Sequence, residues 1–510
     1  MDFKNLISHC KEYGFIFPSS EIYDGLAATY DYGPLGVELK NNIKQYWWKS
    51  MVQMHQNIVG LDAAIFMHPK TWKASGHVDA FNDPMVDNKD SKKRYRADQL
   101  IEGYAEKIEA KIQKDVTKAA KKFGDDFDEK QFRETNGRII DRQKKIDDAI
   151  GRMNQYLKAE DMESLKGLIE ELEIACPESG SRNWTDVRQF NLMFSTQMGA
   201  IASEDGKIYL RPETAQGIFV NFLNVQKSTR QKLPFGIAQI GKAFRNEIVA
   251  RQFIFRMREF EQMEMQFFVK PGEEMKWYDY WKQTRLDWHT ALGTPAENLR
   301  YHDHDNLAHY ANAAVDIEFK FPFGFRELEG IHSRTDFDLK SHMELSGKKL
   351  QYFDPQDNES YVPYVVETSI GCDRMFLSQI GQALREEKVP DADGKESTRT
   401  VMKLHPSLAP VKAAVLPLLK NKEELVNASK DVFKKVSAYV NCQYDEKDAI
   451  GRRYRRQDAI GTPYSITIDF DTLEDNTVTI RDRDTLEQKR VPIEEVGKMV
   501  NDKCNVQNIL

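Results

Sequence analysis

The chain has 510 residues, 40% of them hydrophobic and 30% charged, enough for two or three domains with sizeable cores. A formal net charge of −7 gives no sign of a nucleic-acid partner, although such a partner needs only a local basic surface. No apolar run approaches a membrane span and residues 1–20 lack the continuous apolar core of a secretory signal, so a cytoplasmic protein is expected.

Gly33-Pro34 suits a helix start, and Leu35, Leu39, Ile43, Trp47 and Met51 recur at intervals of four behind it. That stripe fits either an interface with another chain or an internal core. Residues 100–175 differ in texture: Ile101, Tyr104, Ile108, Ile112 and Val116 mark one amphipathic helix, and shorter helical patterns follow near 138–157 and 161–174. A helical insertion in a larger fold is expected. From Arg182 to about Ser378 the pattern is mixed, with apolar or alternating runs at 235–240 and 263–269 that predict an antiparallel hairpin, and an apolar strand at 361–366. Residues 386–403, with Pro390, Asp391, Asp393 and Gly394, have linker composition, and 404–510 alternates helical and strand patterns over the usual size of one α/β domain. Cys10, Cys176, Cys372, Cys442 and Cys504 are odd in number and lack CxxC spacing, so neither disulfides nor a zinc site is expected.

Two arginine clusters flank the hairpin loop: Phe244-Arg245-Asn246-Glu247 on one side and Arg256-Met257-Arg258-Glu259-Phe260 on the other. Arginine offers a planar fork that matches phosphate oxygens in pairs, so clusters held by rigid strands suit a bent nucleoside triphosphate. Taken alone, the same charges fit ion pairing of Arg245, Arg256 and Arg258 with Glu247, Glu259 and Glu261 on a solvated face.

The wider set of motifs favours the nucleotide. Phe244 to Glu247, the Arg256 to Phe260 spacing and Gly371-Cys372-Asp373-Arg374 resemble motifs 2 and 3 of class II aminoacyl-tRNA synthetases, and Tyr32-Gly33-Pro34-Leu35-Gly36 with its helix resembles motif 1. Arg96-Ala97-Asp98, Arg211 to Gly217, Phe260-Glu261-Gln262-Met263-Glu264 and Glu367-Thr368-Ser369-Ile370-Gly371 are similar to glycyl-tRNA synthetases of the single-polypeptide, homodimeric type. The likeness spans nearly the whole chain.

That resemblance implies an α+β catalytic domain at 1–385, the class II synthetase fold with an antiparallel sheet flanked by helices, a helical insertion at about 100–175, a linker at 386–403, and an α/β anticodon-binding domain at 404–510. It implies glycine, ATP with magnesium, and tRNA(Gly) as partners, and a homodimer formed through motif 1. Arg245, Arg258 and Arg374 take the catalytic positions. The remaining nucleotide positions are Asn246, Glu247, Phe255, Arg256, Met257, Glu259, Phe260, Glu327, Leu328, Gly371, Cys372 and Asp373, with Phe260 under adenine and Glu327 as candidate magnesium ligand. Glycine falls to Arg96, Glu213, Phe260, Glu261, Gln262, Met263, Glu264, Glu367, Thr368, Ser369, Ile370 and Gly371, where acids hold the ammonium and a small rigid site excludes larger amino acids.

Arg452, Arg453, Arg455 and Arg456 flank Tyr454 and are expected to touch tRNA; the plainer alternative is a charged strand paired with Asp445, Glu446 and Asp448. His302, His304 and His309 match no trusted metal motif and read as hydrogen-bonded or solvated histidines.

Overall fold

The alternating runs form two long strands paired as a hairpin, with Phe244 opposite Glu259 and Gly236 opposite Phe267. The structure, a computed structural model, describes residues 2–124, 127–199, 206–248, 252–304, 307, 311–390 and 396–510. The hairpin belongs to a seven-stranded sheet whose strands are numbered here in chain order: β1 (Ile58–Gly60), β2 (Phe235–Phe244), β3 (Glu259–Val269), β4 (Leu299–Asp303), β5 (Ala313–Phe321), β6 (Gly324–Thr335) and β7 (Tyr364–Gly371). Their spatial order is β4-β5-β6-β7-β3-β2-β1. Only β1 and β2 run parallel.

Because side chains alternate across a strand, each face of this sheet has its own composition. Met263, Met265, Phe267, Ile331 and Ile370 point to the back, where helices Pro34–Trp48, Glu274–Ala291 and Cys372–Ala383 close the largest core. On the front, Phe235, Ile237, Phe268 and Val365 lie under helices Ala215–Val220, Phe222–Thr229 and Phe337–Ser346. The other end of the front carries polar side chains.

Helix Pro34–Trp48 begins with proline in its first turn and ends in a wider π turn at Lys49–Gln53. Gly36 is required there, since a Cβ would sit 1.9 Å from the Phe15 carbonyl oxygen. Leu35, Leu39, Ile43, Trp47 and Met51 are all buried within this chain, so the stripe is a core stripe and not itself an interface. Each such side chain contributes about 1.5–3 kcal/mol by leaving water.

Two segments differ from expectation. Pro363 lacks a donor for the ladder, so the run at 361–366 divides into Glu359–Tyr361 and β7. The supposed linker at 386–403 is mostly an antiparallel hairpin, Leu384–Pro390 with Glu396–Met402. Its charges are paired, with Arg399 2.9 Å and Lys403 2.6 Å from Glu387, and its β-branched Thr398, Thr400 and Val401 favour strand. The chain beyond it forms a mixed five-stranded sheet, its strands 442–444, 413–417, 464–468, 477–482 and 488–492 in that order, with helices that include Glu423–Ser437 and Ile493–Lys503.

Residues Gly76–Phe194 with Asn246–Ala250 make a second compact unit. It contains helices Ala97–Phe123, Glu129–Thr135, Gly137–Lys158 and Met162–Glu171, with Ile101, Ile108, Ile112 and Val116 buried as the sequence pattern requires. Its three-stranded sheet, Asn82–Asp87 with Arg94–Arg96 and Arg188–Asn191, was not legible, because charges and Pro84 mask its alternation.

Candidate active site

Strand register assembles the polar end of the front face. Glu264 lies opposite Ser369 and Gln239, while Gln266 lies opposite Glu367, which in turn faces His332. Glu264 and Glu367 are 2% and 5% exposed, an expensive position for two acids unless their oxygens are satisfied. The Gln266 Nε2 atom donates to both, at 2.6 Å each. Thr214 Oγ1 donates to the second oxygen of Glu264. Arg334 donates to Glu367 at 3.1 Å, and His332 Nδ1 lies 3.0 Å from its other oxygen.

The two carboxyls are driven apart electrostatically. Burial, then the negative charges of Glu367 and Glu213, push the Glu264 carboxyl well above the usual range. Burial pushes Glu367 in the same direction, but Arg334 and the His332 hydrogen bond outweigh it and hold that carboxyl below the usual range. Gln266 Oε1 is buried with no hydrogen-bond partner among the described residues. A cation with N–H donors would satisfy this acceptor and favour ionised Glu264.

A tightly packed segment borders these carboxyls. Arg211, 2% exposed, donates to the carbonyls of Lys242 and Ala63 at 2.6 and 2.8 Å, and Gly241 leaves the room it needs, since a Cβ there would stand 2.2 Å from its Nη2. Thr214 N donates to Gln262 Oε1 at 3.2 Å, and Gln262 Nε2 donates to Ser369 Oγ at 3.4 Å. Glu213 accepts from Gln216 at 2.9 Å. Of the residues expected around glycine, Glu213, Gln262, Glu264, Glu367 and Ser369 are therefore brought together.

Others are not. Glu261, Met263, Thr368 and Ile370 alternate to the back face: Met263 and Ile370 are core, and Glu261 pairs with Lys40 at 3.1 Å and Lys44 at 3.3 Å. Asp373 is a structural hub, accepting from Tyr32 Oη, Lys40 Nζ and the Glu261 amide, while Cys372 is buried. Phe255, Met257 and Leu328 are also buried, leaving them little surface for a nucleotide.

The arginines occupy the hairpin side of the same face. Arg245 stacks over the Phe260 ring, 5.3 Å from its centroid, and donates from Nε to the Pro212 carbonyl at 3.1 Å. Arg258 Nη1 donates to the Ala27 carbonyl at 3.2 Å, Arg256 is half-buried, and Glu259 pairs with Lys242. Arg374 reaches Glu327, 3.0 Å away, and stacks on Phe255. The Arg374 guanidinium is the main reason the Glu327 carboxyl stays below the usual range, with Arg245 and His332 adding to it.

A bulge places Glu327 here. Across β5 and β6, Glu329 pairs with Ile317 and Glu327 with Glu318, leaving Leu328 as the extra residue. Strict alternation would send Glu327 to the back with Glu329, which is buried there against Arg285 and His289 at 2.5 and 2.8 Å. The extra residue turns it forward.

Sequence reasoning missed Thr214, Gln266, His332 and Arg334. The Arg334/Asp338 spacing of four was the available signal, and the pair is formed at 2.8 Å. His304 pairs with Asp316 at 2.9 Å beside His302; His309 lies outside the described residues. Within the second unit, Arg96 is clamped by Asp98 and Asp83 at 2.6 and 2.9 Å, and Asn246 donates its amide to the Leu192 carbonyl. Glu247 is buried in that unit.

The basic strip at 452–456 is part of a helix, Ile450–Ile460, and not a strand. Arg453 is 1% exposed and caps the Pro417 and Leu418 carbonyls, so it is a structural residue rather than a phosphate contact. Arg456 pairs with Asp445 and Asp448, both at 2.7 Å, and Arg455 donates to Ser397 Oγ. Arg452 is exposed.

Comparison with known proteins follows the same division. Residues 196–382 match the tRNA synthetase class II core domain (G, H, P, S and T), 83–192 the glycyl-tRNA synthetase insertion domain 1, and 412–503 the anticodon binding domain. The chain is 52% identical over 502 residues to a glycine–tRNA ligase of Macrococcus caseolyticus, covering 98% of both chains. It is 50% identical over 504 residues to one of Staphylococcus aureus strain JH9, covering 98% of this chain and 99% of that one.

Proposed function

Since the chain belongs to the class II glycine–tRNA ligases, we propose that the polar end of its front face joins glycine to ATP as glycyl-adenylate and then passes glycine to the terminal adenosine of tRNA(Gly). The observation that carries the glycine assignment is the buried pair Glu264 and Glu367 around an amide whose oxygen has no donor. An ammonium group supplies such donors, and Gln262 and Ser369 close in on the space beside it.

A glycine carboxylate oxygen attacks the α-phosphorus, a new P–O bond forms, the bond to the bridging oxygen breaks, and pyrophosphate departs. Arg245 holds the α-phosphate and carboxylate together, Arg256 or Arg258 takes the outer phosphates, and Arg374 closes on the γ-phosphate after leaving Glu327. Phe260 supports adenine, with Arg245 already across its ring. A ribose hydroxyl then attacks the glycyl carbonyl and AMP leaves.

Magnesium fits the donors present. Glu327 offers one carboxylate, and magnesium binds through one or two carboxylates together with substrate phosphates. Bound there, it would neutralise charge on the phosphate oxygens. Arg452 and Arg455 contact tRNA. The protein works in the cytoplasm; among the described residues no helix is long and apolar enough to cross a membrane. A second copy packs through motif 1 and the turn Glu21–Tyr23 that precedes it in sequence, where Ile22 and Tyr23 are 87% and 80% exposed.

Pyrophosphate exchange tests the reading. Wild-type protein should exchange with glycine and not with alanine, and Arg245→Ala should lose at least a thousandfold while still binding tRNA. Alanine-dependent exchange at a similar rate, or normal exchange by the variant, would overturn it.

A further inference from the structure

Outside the glycine pocket, a cavity of about 540 Å³ opens among helices Pro69–Ala74, Ala215–Val220, Phe222–Thr229 and Phe337–Ser346. That volume lies within the range of small-molecule sites. Val220, Leu223 and Leu350 give it an apolar floor, Lys70, Lys227, Lys348 and Lys349 give it a cationic rim, and no lining residue is acidic. In a chain with 80 acidic and 73 basic residues, an acid-free lining is a biased one. Among the described residues none of the four lysines enters an ion pair, so their charge is available to a ligand.

One lining residue leads inward. His342 is 6% exposed, and its Nε2 lies 2.8 Å from Gln216 Oε1. The Gln216 amide donates to Glu213 at 2.9 Å and to Asp338 at 3.1 Å. Asp338 in turn fixes Arg334, which holds Glu367. Two hydrogen bonds therefore separate the cavity wall from an acid assigned to glycine.

We propose that this cavity binds a small organic anion with an apolar body, and that its occupation alters glycine binding through His342 and Gln216. An apolar floor under unpaired ammonium groups matches a ligand with a hydrophobic body and an anionic head. The site is separate from the nucleotide arginines, so its failure leaves the activation chemistry intact, although the coupling rests on the glycine assignment of Glu213.

The probe is 8-anilinonaphthalene-1-sulfonate, titrated into the full chain by fluorescence. Saturable binding is expected, at least tenfold weaker in the combined variant Lys70→Ala, Lys227→Ala, Lys348→Ala, Lys349→Ala, and lost in Ala74→Trp, which fills the cavity. Glycine-dependent exchange by both variants verifies that they are folded. With the probe saturating wild-type protein, KM for glycine should shift at least threefold while KM for ATP stays fixed. Equal probe affinity in wild type and both variants would overturn the site, and an unmoved KM for glycine would overturn the coupling.

Discussion

Burial and the neighbouring acids Glu367 and Glu213 raise the Glu264 carboxyl well above its usual range, and this has an energetic consequence. Its carboxyl is raised above the unfolded value of about 4.3, so between those two values the folded state holds a proton that the unfolded state has released. Stability from this group therefore falls as pH rises through that window and stays lower above it. Glu264→Gln keeps the neutral shape and removes the loss: the midpoint of thermal unfolding should rise relative to wild type at pH 8 and much less at pH 5, while KM for glycine rises at least tenfold. A wild-type KM, or a variant less stable at pH 8, would show that the acid has another purpose. The identity of this residue was legible in the sequence because it sits in a recognisable motif. Its neighbours Gln266, His332 and Arg334 were not, because nothing in a one-dimensional run announces which cross-strand partners will share an oxygen. For the same reason the motif reading took in Glu261, Met263, Thr368 and Ile370, which the pleat turns to the back.

At the level of elements, long alternating runs and the four-residue stripe were readable because each is a local periodicity. Segments whose charges pair across strands were not: Glu387, Arg399 and Lys403 read as solvent-loving linker until the hairpin brings them together. The close approach of helix Pro34–Trp48 to the Phe15 backbone was likewise hidden, although Gly36 was visible within its motif. Gly36→Ala places a methyl 1.9 Å from the Phe15 carbonyl oxygen and must displace the helix or the Phe15 backbone. A cost of about 1–3 kcal/mol is expected, seen as a lower thermal midpoint, and because Tyr32 and Lys40 at this junction both hold Asp373, adenylate formation should weaken too. An unchanged midpoint would mean that the two segments are loosely joined.

Across the molecule, the domain that follows the hairpin is tied to it by a buried knot: Asp458, fully buried, accepts from Arg399 at 2.9 Å and from Arg481 at 2.8 and 3.0 Å. Asp458→Asn takes the carboxylate from Arg481 and leaves Arg399 with Glu387 alone, and should cost about 3–5 kcal/mol locally. Glycine-dependent exchange should survive while transfer to tRNA falls at least tenfold, as measured by charging; equal loss of both would place the knot in the activation step. Assembly has its own test. Ile22→Asp with Tyr23→Asp should halve the mass measured by light scattering without altering circular dichroism, and an unchanged mass would move the proposed contact elsewhere. On the proposed reading, strand β6 carries Glu327 on the nucleotide side and His332 on the amino-acid side, five residues apart in one strand. At ~3.3 Å per residue an unbroken strand would put roughly 17 Å of backbone between them, shortened by the bulge at Leu328, and on that reading a substrate is held near each end. An inhibitor built to mimic the mixed anhydride must match its gauge: a sulfamoyl analogue of equal length keeps both grips, and the same compound stretched by one methylene gives one of them up.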